Sequence, residues 1–175
     1  LAKAIEDFKG NEAYGRATFH PIDTTDTIDA MRRSIEAMGA NRPDILVIDY
    51  LGLVPGLHRG TRREEMAATV RAAKRTAENI FNGEGILIWA AYQTNRAGHE
   101  RALDLGYYDL HALEETAEAE KSTDVILWLL RTPECVENNE LKVGIMKSRD
   151  SDRLQEDYLY CDFATCLVSN LRDTT

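Results

Sequence analysis

The 175-residue chain has no apolar run approaching the length of a membrane span, and its amino terminus carries no signal-peptide pattern. A cytoplasmic protein without a membrane-embedded part is the expectation. Cysteine is scarce. Cys135, Cys161 and Cys166 lack zinc-site spacing and read as reduced thiols, with Cys161 and Cys166 on opposite faces of one expected strand. The four histidines, His20, His58, His99 and His111, are scattered and suggest no metal cluster. Basic residues are outnumbered 21 to 30, for a net charge of −9, which argues against nucleic acid covering the whole surface. Local basic sites stay open: Arg59, Arg62 and Arg63 form one cluster, Arg96 and Arg101 a weaker one. A further absence is the phosphate-loop pattern Gly-x-x-x-x-Gly-Lys-[Ser/Thr]. Gly83-Glu84-Gly85 has neither its spacing nor its lysine. Without that loop there is no backbone N–H cradle for nucleotide phosphates, so this chain alone is not expected to bind or hydrolyse ATP.

What is present suits one soluble domain of ordinary size, with 43% hydrophobic and 29% charged residues. Residues 1–16 read as an incoming helix and turn. Because the chain opens inside that helix, a piece of a longer protein is expected. Residues 17–130 read as an α/β core and residues 140–168 as a terminal β-hairpin. Within the core, Ala17 to His20 is a short strand candidate. Thr24, Thr25 and Asp26 are N-cap candidates for a helix to about Met38, with Ile28, Met31, Ile35 and Met38 on one stripe. Ile45 to Ile48 is four consecutive aliphatic residues, the pattern of a strand buried on both faces. Arg62 to Asn82 reads as a long helix presenting Met66, Val70, Ala73, Ala77 and Ile80. Gly85 to Ala91 is a second fully buried strand, 92–111 an aperiodic loop, 112–121 a short acidic helix, and 124–130 a third apolar strand. Alternating strands and helices imply a mostly parallel sheet with right-handed crossovers.

Polar residues stand at the carboxyl ends of these strands. Asp49 closes the first, where open α/β sheets bind ligands, and is placed to hold a hydrated Mg²⁺ beside a nucleotide phosphate. The alternative is that Asp49 starts a turn or caps the next segment. Gln93 follows the second strand, and Lys147 and Arg149 follow the hairpin strand. An acid for Mg²⁺, an amide that senses phosphate, and a cationic pair are much of a phosphoryl-transfer site. The plainer reading is an exposed strand-end amide and a solvated hairpin tip.

These segments together resemble the RecA-like ATPase domain of DnaB-like replicative helicases, over the part after the Walker A loop. Ile48-Asp49-Tyr50-Leu51-Gly52-Leu53 is similar to the Walker B strand, Ile-Asp-Tyr-Leu-Gln-Leu. Arg62, Glu65, Arg71, Lys74, Ala77 and Glu78 match the helix that follows it. Gln93-Thr94-Asn95-Arg96 resembles the sensor motif Ser-Gln-Leu-Asn-Arg. Leu113-Glu114-Glu115-Thr116, Glu120 and Asp124 resemble Leu-Arg-Glu-Ser-Gly-x-Ile-Glu-Gln-Asp-Ala-Asp. Lys147-Ser148-Arg149-Asp150 resembles Lys-x-Arg-Asn. The five motifs occur in order across residues 17–165.

The resemblance implies a RecA-like P-loop NTPase core that lacks its Walker A strand, which in the family lies between the strands ending near Gln93 and starting near Asp124. Either the chain is a fragment or those two strands meet across the gap; the fragment is the expectation. The resemblance further implies an ATP- and Mg²⁺-dependent helicase. Asp49 would hold Mg²⁺ through water. Gln93 would couple the γ-phosphate to DNA. Arg149, with Lys147, would reach ATP bound by the neighbouring subunit of a homo-oligomeric, hexameric ring. Single-stranded DNA would meet Arg59, Arg62, Arg63, Asn95, Arg96, Arg101 and Glu115, and primase or other replisome proteins are implied partners. Departures include Glu114 for the family's Arg, Ala117 for Gly, and Asp150 for Asn. Alternatives are a RecA-like subunit or scaffold without ATP binding, and another RecA-type ATPase.

Overall fold

A computed structural model describes residues 15–56, 60–113, 117–149 and 156–171. Its first half is one β–α–β crossover with an added helix. α1 (Ile28–Glu36) is capped by Thr27, whose hydroxyl accepts from the Ala30 amide, and it buries Ile28 and Ile35. The cap is one residue past the three expected. The turn Gly39–Asn41 follows, with Gly39 at φ 55°, and leads to β1 (Ile45–Ile48). α2 (Arg62–Gly83) starts with a reciprocal capping box between Thr61 and Glu64. It buries Met66, Val70, Ala73 and Ile80, as the periodicity indicated, and its last turn leaves helical geometry at Ile80, Phe81 and Asn82. β2 (Leu87–Ala90) then pairs parallel to β1, from Ile45↔Leu87 to Ile48↔Ala90. The candidate strand at 17–20 is not a strand.

The second half is an antiparallel sheet in the order β3 (Val125–Leu130), β4 (Glu140–Ser148), β5 (Asp157–Asp162), β6 (Leu167–Asn170). The expected hairpin is β4–β5, in the register Glu140↔Tyr160 to Val143↔Asp157. Its second arm is two strands, because the chain turns at 163–166. Cys161 is therefore buried in β5 and Cys166 exposed at the turn with φ 56°, instead of both lying in one strand.

Two expectations for the sheet need correction. It is not mostly parallel: among the described residues only β1–β2 is a parallel pair. The reason is that β2 and β3 each have a partner on one side and do not pair with each other. The second correction is that β1 and β2 are buried on one face only. Leu46, Ile48 and Ile88 pack toward the helices, while Val47 is 64% exposed and Trp89 55%. Ile45 and Leu87, and on β3 Val125, Leu127 and Leu129, are exposed as well. α1 and α2 cover one face, and among the described residues nothing covers the other.

The stretch 92–111, expected as a loop, contains α3 (Arg96–Leu105). Asn95 caps it, Oδ1 accepting from the Gly98 amide at 2.6 Å, and left-handed Gly106 ends it. The acidic helix is shorter than expected: Leu110–Leu113 is a 3₁₀ turn and α4 is Ala117–Ser122. α5 (Pro133–Glu137), capped by Thr132, is a further unexpected turn of helix. Tyr92 packs against both the α1–α2–β1 core and the cluster of Tyr108, Trp128, Leu130 and Met146, and so joins the two halves.

Candidate functional site

The residues expected to act together fall into two groups. Asp49 and Gln93 share the carboxyl edge of the parallel pair. The Ala91 amide donates to Ile48 O at 3.0 Å and the Leu51 amide to Ala91 O at 2.9 Å, which ties the chain on either side of Asp49 to β2. Asp49 and Gln93 are both exposed at that edge, and the Asp49–Tyr50 peptide is cis. A cleft of about 230 Å³ opens between the two strand-end loops, walled by Tyr50, Arg62, Tyr92, Gln93 and Asn95. Among the described residues no group of three or more His, Cys, Asp or Glu could hold a metal. One exposed carboxylate matches a Mg²⁺ that keeps most of its water and takes its remaining ligands from phosphate, not a metal caged by protein.

Lys147 and Arg149 stand elsewhere. β4 runs antiparallel to β3, so its carboxyl end lies beside the amino end of β3, with Val125↔Ser148 in register. The Arg149 amide donates to Asp124 O at 3.0 Å. Asp124 is the centre of this group. Lys74 Nζ donates to both its carboxylate oxygens, at 2.9 and 2.7 Å, and also pairs with Glu78 at 3.1 Å. Arg149 Nη1 lies 3.4 Å from Asp124 Oδ1, and its Nη2 donates to Lys121 O at 3.2 Å. Lys147 Nζ donates to Thr123 O at 2.7 Å and to Glu120 O, filling carbonyls at and just past the end of α4 as a C-cap. The hydrogen bond from Lys74, then the charges of Lys74, Arg149 and Lys147, hold the Asp124 carboxyl below the ordinary carboxylate range, against a smaller opposing effect of burial.

α2 measures the separation of the two groups. Its first residue, Arg62, donates to Gly52 O in the loop after Asp49, and Lys74 is twelve residues further on. At 1.5 Å per residue that is about 18 Å. Asp49–Gln93 and Lys147–Arg149 are therefore not one constellation within this chain. Strand-end position alone suggested otherwise, because it does not register that β4 runs against β3.

Several of the residues expected at DNA are engaged locally. Asn95 caps α3, Arg62 holds Gly52 O, Arg96 pairs with Glu100 at 3.4 Å, and Arg101 with Asp109 at 2.9 Å. Arg63 is exposed on the first turn of α2. Arg59 and Glu115, like Glu114 and Asp150, lie outside the described residues. The central part played by Asp124 was missed. Its place in a matched motif was the only signal, and its partners Lys74 and Arg149 lie 50 and 25 residues away in sequence.

The crossover, the antiparallel extension and the two polar edges define the α/β fold of replicative-helicase ATPase domains. The structure matches a DnaB-like replicative helicase that interacts with primase, with a TM-score of 0.68, 19% identity, and coverage of 83% of this chain and 35% of that one. It matches a second helicase structure, an isolated ATPase domain, with a TM-score of 0.70 and 21% identity, over 83% of this chain and 51% of that one. The chain thus spans about a third to a half of these structures. No protein-family model and no curated protein matches it by sequence.

Proposed function

We propose that the chain is the C-terminal part of a ring-forming, ATP-driven replicative DNA helicase, working in the cytoplasm on single-stranded DNA beside replisome partners such as primase. The observation that carries this reading is the separation of Asp49 from Arg149. A cation about 18 Å along α2 from the metal-site carboxylate cannot serve a nucleotide held at that carboxylate. On the far edge of the domain it is available to a nucleotide held by the next subunit. In a homo-oligomeric, hexameric ring each interface then joins Asp49 and Gln93 of one subunit to Arg149 of another.

When bound, ATP and Mg²⁺ supply the phosphoryl group and the charge that neutralises it. Asp49 orients the hydrated ion, Gln93 senses the γ-phosphate beside the cleft, and Arg149 stabilises the charge that develops on the transferring group, worth on the order of 10³–10⁵ in rate. Lys147 braces the β4 terminus from which Arg149 projects. The open edges of β2 and β3 and their bare apolar face receive the strand that carries the phosphate loop. Arg62, Arg63, Asn95, Arg96 and Arg101 lie near the loops that would track the DNA backbone, with Arg59 and Glu115 beside them in sequence.

The test uses the full native protein. Arg149→Ala abolishes DNA-stimulated ATP hydrolysis and leaves nucleotide binding nearly intact. Equal loss of both overturns the assignment. A native protein that binds no ATP is instead a RecA-like scaffold.

A further inference from the structure

The geometry around Asp124 points to a role beyond joining two elements: we propose that Asp124 is a positioning residue for the Arg149 guanidinium. This rests on the reading of Arg149 as the cation delivered to a neighbouring nucleotide. Asp124 meets Arg149 twice, through its carbonyl to the Arg149 amide at 3.0 Å and through Oδ1 to Nη1 at 3.4 Å. Lys121 O supplies the third contact, at 3.2 Å from Nη2. Asp124 is itself fixed, because Lys74 grips both of its carboxylate oxygens.

These contacts use only part of the five-donor fork of the guanidinium, and the Arg149 side chain remains 47% exposed. The group is aimed but not consumed. An exposed arginine that must reach across an interface gives up its rotamer freedom when it arrives, whereas one already held has given it up beforehand. Lys74 stands on α2, which starts just beyond the Asp49 loop, so one carboxylate fixes the finger relative to that loop as well. Simple adhesion between α2 and the α4–β3 junction has another agent: Arg71 and Glu118 pair at 3.1 Å across the same interface.

In the full native protein, with single-stranded DNA and ATP, Asp124→Asn lowers kcat at least fivefold and leaves the KM for ATP within twofold. Glu118→Gln breaks the neighbouring pair, shifts the melting temperature by a similar amount, and leaves kcat within twofold. Asp124→Glu keeps the carboxylate at a longer reach and gives an intermediate kcat at the same KM, which decides the matter if Asp124→Asn does not fold. Equal losses for Asp124→Asn and Glu118→Gln, or unchanged kcat in both Asp124 variants, overturn the positioning role while Arg149→Ala remains inactive. Full kcat in Arg149→Ala overturns the reading of Arg149 itself.

Discussion

Lys74 holds both carboxylate oxygens of Asp124, at 2.9 and 2.7 Å. The contact shifts both groups. Asp124 lies below its ordinary value of 3.8, chiefly through the hydrogen bond from Lys74, and Lys74 lies above its ordinary 10.5 for the same reason. Asp124, depressed on folding, contributes stability above pH 3.8 that is lost as pH falls through its folded value. Lys74, raised on folding, contributes stability below pH 10.5 that is lost as pH rises through its folded value. The pair is partly exposed, so Asp124→Asn is expected to cost about 0.5–1 kcal/mol near neutral pH. Denaturant midpoints measured against pH check this: the variant's difference from the parent shrinks at both extremes.

Thr61 and Glu64 close the first turn of α2 reciprocally, Thr61 Oγ1 accepting from the Glu64 amide and the Glu64 carboxylate accepting from the Thr61 amide at 2.8 Å. Thr61→Ala removes the hydroxyl side of the box and is expected to cost about 1 kcal/mol. Amide hydrogen exchange should quicken in the first turn of α2 and stay unchanged near Ile80.

Gly144 on β4 lies under the Trp128 indole. A Cβ there would sit 2.5 Å from Trp128 Cζ2 and 2.6 Å from Cε2. Trp128 is itself buried against Tyr108 and Met146, so it has little room to yield. Gly144→Ala is expected to destabilise by about 1–3 kcal/mol through overpacking. Red-shifted tryptophan emission in the folded variant, together with a lower denaturant midpoint, would report the displaced ring.

The bare sheet face outweighs every ion pair in the energy balance. Seven half-exposed apolar side chains on β1, β2 and β3, if covered, gain on the order of 5–10 kcal/mol gross, against at most about 1 kcal/mol for an exposed salt bridge. Trp89→Lys distinguishes covered from uncovered states. In the 175-residue chain alone it is expected to change stability by less than about 0.5 kcal/mol and to reduce binding of a hydrophobic dye. In the full protein, with a strand and helix seated on that face, the same change costs several kcal/mol, on the order of a buried unpaired charge. Equal effects in the two settings would mean that the face is never covered.

Much of the first half was legible. Four aliphatic residues in a row gave β1, and the spacing of Met66, Val70, Ala73 and Ile80 gave α2, because local pattern and burial agree there. α3 was hidden because its one buried residue, Ala102, makes no stripe. The bare face was hidden for another reason: Ile45 to Ile48 reads the same whether one face is covered or two, and cover belongs to partners outside the strand. At the site, the residue types were visible, but the edge on which each stands was not. Arg149 follows a strand as Asp49 does, and only the pairing of Val125 with Ser148 shows that the second strand points the other way.

The most direct measurement mixes two inactive proteins. Asp49→Asn removes the metal-site carboxylate and Arg149→Ala removes the finger. In a mixed ring, an Arg149→Ala subunit still holds nucleotide with Asp49, and an Asp49→Asn neighbour still presents Arg149. A finger acting between subunits therefore predicts that DNA-stimulated ATP hydrolysis, absent from either variant alone, returns when full-length subunits are mixed and reassembled. No recovery from rings shown to contain both variants would contradict it.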